Sequence, residues 1–330
     1  MRRSDPVLVA GAGGLLGSAI VRRLVADGFT NVLTPGRDKL DLTRREAVES
    51  FFEQTRPAWV FLCAARVGGI LANRSRPAEF LRENLLIQTH VIEAARRAGV
   101  RRLFFPASSC MYPRLAPQPM REEYLLTGPL EPTNSAYAVA KIAGMEMCTA
   151  YRRQYGLETV VAVLTNLYGP GDRFDAQEGH VIAALMRRFH EAREAGAARV
   201  VIWGSGRQRR EFLFADDAAD AALFLMQNHT SGEPINVGVG QDISIGELAR
   251  LIAVVVGFRG EILFDPRQPD GAPRKLLDCS RVCALGWRPR MPLVEGLERT
   301  WAWYRQPLRA GPAGAAPARP LPAAPAESRT

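Results

Sequence analysis

No apolar run in this sequence approaches the roughly 18 residues of a membrane helix, no segment repeats, and no basic stripe is interleaved with aromatics. The first absence speaks against a membrane span. Met1-Arg2-Arg3-Ser4 leads only into the short Val7-Leu8-Val9-Ala10 segment, which a glycine-rich loop stops, so no processed leader is expected. A formal net charge of +9 would suit nucleic acid, but the arginines are scattered among acids, and an anionic small substrate accounts for local Arg clusters equally well. Neither a nucleic-acid nor a membrane partner is expected. The cysteines are few and odd in number: Cys63, Cys110, Cys148, Cys279 and Cys283, with no Cys-x-x-Cys pair. A disulfide framework and a zinc site are therefore disfavoured, no metal is expected, and a reducing, cytoplasmic compartment fits.

At 330 residues the chain is long for one core, so two domains or one large α/β unit are expected, with ordinary apolar and charged content for a globular enzyme. Pro6 to Ala10 reads as a strand, and Gly11-Ala12-Gly13-Gly14-Leu15-Leu16-Gly17 as a tight loop opening a helix. The spacing of Gly11, Gly14 and Gly17 differs from Gly-x-Gly-x-x-Gly but meets the same need, a close approach of backbone and helix N-terminus to a pyrophosphate. Asn31 to Thr34 can be the second strand. Arg37 after it suits the 2′-phosphate of NADP(H), although Asp38 is adjacent. Asp41-Leu42 is expected to cap a helix through Phe52, and Trp59 to Ala65 reads as a central parallel strand. A helix from Pro77 to Ala98, a strand from Leu103 to the edge at Cys110, a helix from Ser135 to Tyr155 and a strand from Val160 to Leu164 follow. Thr165 to Gly171 is expected to leave the sheet as a loop.

Beyond Pro170 the pattern loosens. It offers a helix from His180 to Glu194, a strand Val200 to Trp203, Arg207 to Phe214, a helix Asp217 to Gln227, Ile243 to Val256, and a charged, Pro-rich loop from Asp265 to Leu277. The fold class expected is α/β, a Rossmann-type doubly wound parallel sheet with a smaller α/β substrate-binding domain. Residues 1–169 would form the NADP-binding part and 170–307 the mainly substrate-binding part, with some interleaving, and 308–330 a disordered Ala/Pro-rich tail.

Tyr137 and Lys141 lie four apart among good helix formers and so share one helix face. An ammonium beside a phenol favours the phenolate, and is expected to lower Tyr137 from its ordinary ~10 for acid–base work at a carbonyl. Such a pair is common by chance, and its weight comes from its surroundings. Ser108, Ser109 and Cys110 end a strand at the edge where open α/β sheets bind ligands, which places them in the same crevice.

Together, Gly11, Gly14, Gly17, Ser108, Tyr137 and Lys141 resemble the extended short-chain dehydrogenase/reductases, and longer phrases narrow the resemblance to the GDP-L-fucose synthase family. Those phrases are Ala64 to Ile70, Ser108 to Pro113, Glu131 to Asn134, Tyr137 to Gly144, Thr165 to Pro170, Trp203 to Gly206, Arg210 to Phe212, and Pro269 to Gly271 with Arg274-Lys275. The resemblance implies NADPH-dependent 3,5-epimerisation and 4-reduction of GDP-4-keto-6-deoxy-D-mannose. By it, Gly11 to Gly17, Arg37, Pro106, Ala107, Ser108, Ser109, Lys141, Leu164, Thr165, Asn166, Leu167 and His180 would contact NADP(H). Arg188, Trp203, Arg210, Asp270 and Lys275 would bind the GDP-sugar, and Cys110 with His180 would form the epimerisation acid/base pair. Tyr137 would protonate O4, and Ser108 would hydrogen-bond the same oxygen.

Some positions depart from the family. Pro170-Gly171-Asp172-Arg173-Phe174 stands where members commonly read Pro-His-Asp-Asn-Phe; Leu164 replaces a usual Pro, Pro106 a usual small residue, and Gly13 an often basic or polar position. These bear on the sugar more than on the reaction type, and leave open an epimerase/reductase of another nucleotide-activated 4-keto deoxysugar. A dehydratase would need an Asp-Glu pair where Ser109-Cys110 stands, and a simple 4-epimerase has no use for Cys110 and His180 together. A non-catalytic NADP-binding regulator has no use for the Ser108, Tyr137 and Lys141 set. Two long helices, Phe80 to Ala98 and Tyr137 to Tyr155, are expected to pair with their copies in a homodimer.

Overall fold

A computed structural model describes residues 1–175, 179–268 and 270–306. Pro269 and the tail from residue 308 lie outside them. The chain opens with β1 (Val7–Ala10), α1 (Leu15–Ala26), β2 (Val32–Leu33), α2 (Arg45–Thr55) and β3 (Trp59–Leu62). A short α3 (Ile70–Ser75) and a long α4 (Pro77–Arg97) lead to β4 (Arg102–Ser108), and α5 (Ser135–Tyr155) leads to β5 (Thr159–Leu164). Next come β6 (Asn166–Tyr168), α6 (Val181–Glu194), β7 (Arg199–Trp203), β8 (Arg209–Phe214), α7 (Ala215–Asn228) and β9 (Ile235–Val237). The described chain closes with β10 (Asp242–Ser244), α8 (Ile245–Val256), β11 (Glu261–Asp265), β12 (Arg274–Lys275), α9 (Ser280–Ala284) and α10 (Leu293–Tyr304).

Six parallel strands form the main sheet in the order β2-β1-β3-β4-β5-β9. Every residue of β1 and of β5 is buried, as a sheet covered on both faces requires. Side chains alternate between two cores: Leu8, Val60 and Phe105 join one cluster, while Val7, Val9, Phe61 and Phe104 join another with Leu16 and Ile20 of α1 and Ala218 and Ala222 of α7. The chain runs outward from β1 to β2 and then crosses back to β3, so the order reverses between β1 and β3 and opens a ligand crevice at their C-terminal ends. This is the doubly wound α/β arrangement.

A smaller sheet, β10-β8-β12 with β6 beside β8, and the ribbon β11-β7 lie apart from it. Their core includes Met186 and Phe189 of α6, Leu248 and Ile252 of α8, and Leu297 and Trp301 of α10. The parts interleave: β9 and α7 come from beyond residue 170 yet complete the main sheet and its core, whereas β6 leaves β5 to pair with β8.

Several elements were not legible in the sequence. Thr165 to Gly171 is not wholly loop, since β6 forms there, and β12 forms inside the Pro-rich stretch from Asp265 to Leu277 by pairing with β8. Asp41 does not cap α2; its Oδ1 accepts from the Thr43 amide at 3.0 Å and hydroxyl at 2.7 Å, a local turn that delays the helix to Arg45.

Candidate active site

β4 ends at the crevice with Ser108, and a single 3-10 turn, Ser109–Met111, carries Cys110. The Cys110 amide donates to Ser108 Oγ at 3.2 Å, which fixes the thiol beside the hydroxyl. Behind them α5 lies close on β4 because Gly144 has no side chain: a Cβ there would overlap the Phe105 ring and the Gln88 amide. Gln88 donates to the Ala140 carbonyl at 2.7 Å and locks α4 to α5.

Lys141 is 4% exposed, and its Nζ donates to the Pro106 carbonyl at 2.8 Å, under the Tyr137 ring at 5.9 Å and the Phe105 ring at 4.8 Å. Burial pulls this ammonium down to about 8. The expected lowering of Tyr137 is not found. Burial pushes the phenol above its ordinary value, Cys110 adds to the rise, and the Ser108 hydroxyl opposes it only in part. The lysine is spent on a backbone carbonyl rather than on the phenolic oxygen. Tyr137 is thus held protonated, as a proton donor must be.

Cys110 is pulled the opposite way. Burial pushes its thiol up, but Lys275, the Ser108 hydroxyl and Arg210 more than reverse this and hold it below the ordinary value. Lys275 Nζ lies 3.4 Å from Sγ, and Asn134 Nδ2 donates to Sγ at 3.1 Å. β12 places Lys275 opposite Arg210 on β8, so the small sheet delivers both cations to the thiol. By contrast, burial drives Cys63 and Cys148 up to about 12.

The other substrate-side positions form a rim. Arg188 donates to the Val201 carbonyl at 2.9 Å and lies 5.9 Å from the Trp203 ring, which is 49% exposed and free to stack on a flat ligand. The Asp270 carboxylate accepts from the Ser205 amide and hydroxyl, each at 2.7 Å, and its carbonyl accepts from Arg210.

Gly11, at φ +86°, sits so close to Ala64 that a Cβ would overlap backbone, and a Cβ on Gly17 would overlap the Gly11 carbonyl. Gly14 caps α1 without a side-chain hydrogen bond, and nothing lies within 4 Å of where a Gly13 Cβ would be. The loop Gly11 to Gly17, with Ala12, Leu15 and Leu16 between, therefore presents uncapped amide donors to an open space, a fit for a dinucleotide pyrophosphate. Pro106 and Ala107 belong to β4, and Leu164 ends β5 beside Ser108. Thr165 Oγ1 and Asn166 Nδ2 both donate to the Glu211 carbonyl, and Leu167 pairs with Leu213.

Among the described residues, no hydrogen bond joins Arg37 or His180 to the Ser108–Cys110–Tyr137–Lys275 cluster. Arg37 is exposed after β2, and His180 caps the N-terminus of α6, its Nδ1 3.1 Å from Asp172 Oδ1. Sequence reasoning assigned no role to Asn134, Asp172 or Glu211. The signal available for Asn134 and Glu211 was their place in the segments Glu131–Asn134 and Arg210–Phe212 that carry the family resemblance.

A tyrosine held protonated beside a serine hydroxyl, one strand edge from a dinucleotide crevice, serves hydride chemistry at a carbonyl: this is a nicotinamide-dependent enzyme. Residues 7–238 match the NAD dependent epimerase/dehydratase family. GDP-L-fucose synthase 1 of Arabidopsis thaliana is 52% identical over 92% of this chain and 94% of its own. Among solved structures, a GDP-6-OMe-4-keto-L-xylo-heptose reductase from C. jejuni superposes with TM-score 0.88 at 35% identity, covering 92% and 99% of the two chains. A GDP-L-fucose synthetase from Naegleria fowleri bound to NADP does so with TM-score 0.85 at 29% identity, covering 92% and 93%. The chain belongs to the NAD dependent epimerase/dehydratase family and, within it, to the GDP-L-fucose synthases.

The electrostatics at Cys110 make a direct prediction. Alkylation by iodoacetamide should select Cys110, with its pH midpoint below that of an ordinary thiol, and Lys275→Gln should move that midpoint to higher pH. Mass-spectrometric mapping of the labelled peptide checks both; an unmoved midpoint would remove Lys275 as the partner.

Proposed function

We propose that the protein catalyses NADPH-dependent 3,5-epimerisation and 4-reduction of GDP-4-keto-6-deoxy-D-mannose to GDP-L-fucose. The observation that carries this reading is Cys110: a thiol held low by Lys275 and Arg210, beside a tyrosine held high. A simple reductase has no need of the first, and a simple base-catalysed epimerase none of the second. The protons on C3 and C5 flank the C4 ketone and are acidic enough for the Cys110 thiolate to remove. His180, raised toward the imidazolium by Asp172 although burial lowers it, returns a proton on the opposite face. Tyr137 gives its proton to O4, with Ser108 hydrogen-bonded to the same oxygen. The bound dinucleotide supplies the hydride to C4.

The pyrophosphate would rest on the loop from Gly11 to Gly17, and the 2′-phosphate of NADP on Arg37. Between positions 37 and 44, Arg37, Lys39 and Arg44 outnumber Asp38 and Asp41, a balance that suits an anion at the end of β2. Arg188, Arg210 and Lys275 would take the GDP diphosphate, and Trp203 a flat ring. A related 4-keto sugar is the second reading, favoured by the altered loop at Gly171 and the likeness to the heptose reductase. The same reading includes a homodimer built on α4 and α5, because Val139 stands 45% exposed on α5, and Val67, Ile70 and Leu71 are exposed around α3, which packs on α4.

Incubation of the purified protein with GDP-4-keto-6-deoxymannose and NADPH should yield GDP-L-fucose; turnover of a heptose analogue alone would select the second reading. In Tyr137→Phe, reduction should fall by roughly 10²-fold or more while deuterium from solvent still enters C3 and C5. Cys110→Ser should show the converse, and loss of both activities in either variant would sink the division of labour. Arg37→Ala should raise the KM for NADPH far more than that for NADH; equal effects would take Arg37 off the 2′-phosphate. Light scattering at micromolar concentration should give twice the chain mass, and a monomer would dismiss the helix-pair interface.

A further inference from the structure

His180 occupies a position where an imidazole should be neutral. It sits at the N-terminus of α6, where the helix dipole disfavours a cation, and partial burial, with the side chain 40% exposed, disfavours one further. Against both stands Asp172. Its side chain is 2% exposed, and Oδ1 accepts from the Arg173 amide at 2.8 Å and lies 3.1 Å from His180 Nδ1. Oδ2 is buried and has no hydrogen-bond partner among the described residues. A carboxylate in such a place costs stability unless it acts on a charge.

We propose that Asp172 is the positioning residue for the acid step: it holds His180 with Nδ1–H on the carboxylate and directs Nε2 outward. Because a carboxylate only accepts, the ring nitrogen facing it must carry the proton, which leaves Nε2 as the site that gives a proton away and recovers it. On the epimerase reading, Cys110 Sγ takes the proton from the carbon next to the ketone and the electron pair passes to the enolate. Nε2–H then gives its proton to the opposite face, leaving neutral imidazole still bonded to Asp172 through Nδ1–H. No further reactant is needed.

Among the described residues, the group bonded to the ring is the Asp172 carboxylate. Of the loop's described residues, Arg173 and Asp175 are the other charged ones, each with an interaction of its own. From α6, Arg187 is turned to Glu191 and to the Phe174 carbonyl. The loop before α3 brings the backbone of Gly69 against Gly179, α1 brings the Ser18 hydroxyl toward Gly171, and α10 brings Trp303 and Tyr304 against Phe174. The charge that acts on the imidazole, among the described residues, is that of Asp172.

The test is a titration of the ring itself. With four histidines in the chain, His180→Gln identifies the His180 resonances by their loss from a heteronuclear NMR spectrum of the full-length protein. The wild-type ring should titrate above an unperturbed imidazole and, once neutral, show ¹⁵N shifts of the Nδ1–H tautomer. In Asp172→Asn, which keeps the shape and removes the charge, the midpoint should fall. A wild-type neutral form protonated on Nε2, or an unmoved midpoint in Asp172→Asn, overturns the proposal. The wild-type tautomer decides it even if the variant does not fold. A second arm rests on the function proposed above: deuterium incorporation into the 4-keto sugar by Asp172→Asn should fall roughly tenfold at pH 8 and recover toward pH 6, with KM unchanged. A loss equal at all pH values would mean only a structural role and would overturn it as well. If the wild-type protein does not act on that sugar, the function reading fails, and the titration still decides the dyad.

Discussion

Glu211 is fully buried, has no cation bonded to its carboxylate among the described residues, and is held by three backbone amides: Val239 at 2.5 Å, Gly240 at 2.7 Å and Leu277 at 3.0 Å. Burial pushes its carboxyl above the ordinary range, and the three N–H groups pull it back only in part. A charge in this position can be tolerated only where the donors are fixed, so the carboxylate and the segments that supply the donors hold one another in place. Those segments are the loop after β9, in the main sheet, and the end of β12, in the small one. The Glu211 carbonyl also accepts from Thr165 and Asn166, where the chain leaves β5. One residue of β8 thus ties the dinucleotide crevice to the strands that carry Arg210 and Lys275.

What this joint positions is a contest between burial and local partners, decided differently at each group of the site. Burial wins at Tyr137, because Lys141 has turned its ammonium to Pro106, and the phenol keeps its proton. Partners win at Cys110, where two cations and a hydroxyl outweigh the same penalty. An acid and a nascent base can then share one crevice without neutralising each other. The two cations come from the small sheet and the Ser108 hydroxyl from the main one, so the chemistry depends on how the sheets meet.

That dependence explains what the sequence revealed and what it concealed. The glycine loop, the strand edge at Ser108 and the Tyr137-Lys141 pair are local patterns, with spacing set by one turn or one helix, and they could be read directly. β12 is two residues in a Pro-rich stretch, formed only because β8 lies alongside, so the approach of Lys275 to a thiol 165 positions away had no local signature. The expectation for Tyr137 failed for a related reason. Spacing brought an ammonium near a phenol, but the carbonyl of Pro106 that claims the ammonium belongs to β4. Asp172 was hidden likewise, because only the path of the loop brings it back to His180.

That loop also holds the plainest departure from the family, and its construction separates shape from chemistry. Gly171 has φ +90° and faces the Ser18 hydroxyl, a backbone conformation in which a side chain is strained. The next residue begins the part that carries the imidazole's partner, and that part is anchored independently: the Asp172 amide donates to the Gly169 carbonyl at 3.2 Å, and Phe174 stacks on Tyr304 at 4.2 Å. Arg187 of α6 adds a bond to the Phe174 carbonyl, close to the helix terminus on which His180 sits. A change at position 171 can therefore reshape the wall beside the glycine loop while the carboxylate and the ring stay in register. Gly171 and the Asp172–His180 pair are neighbours in sequence with different supports, so one can vary without displacing the other.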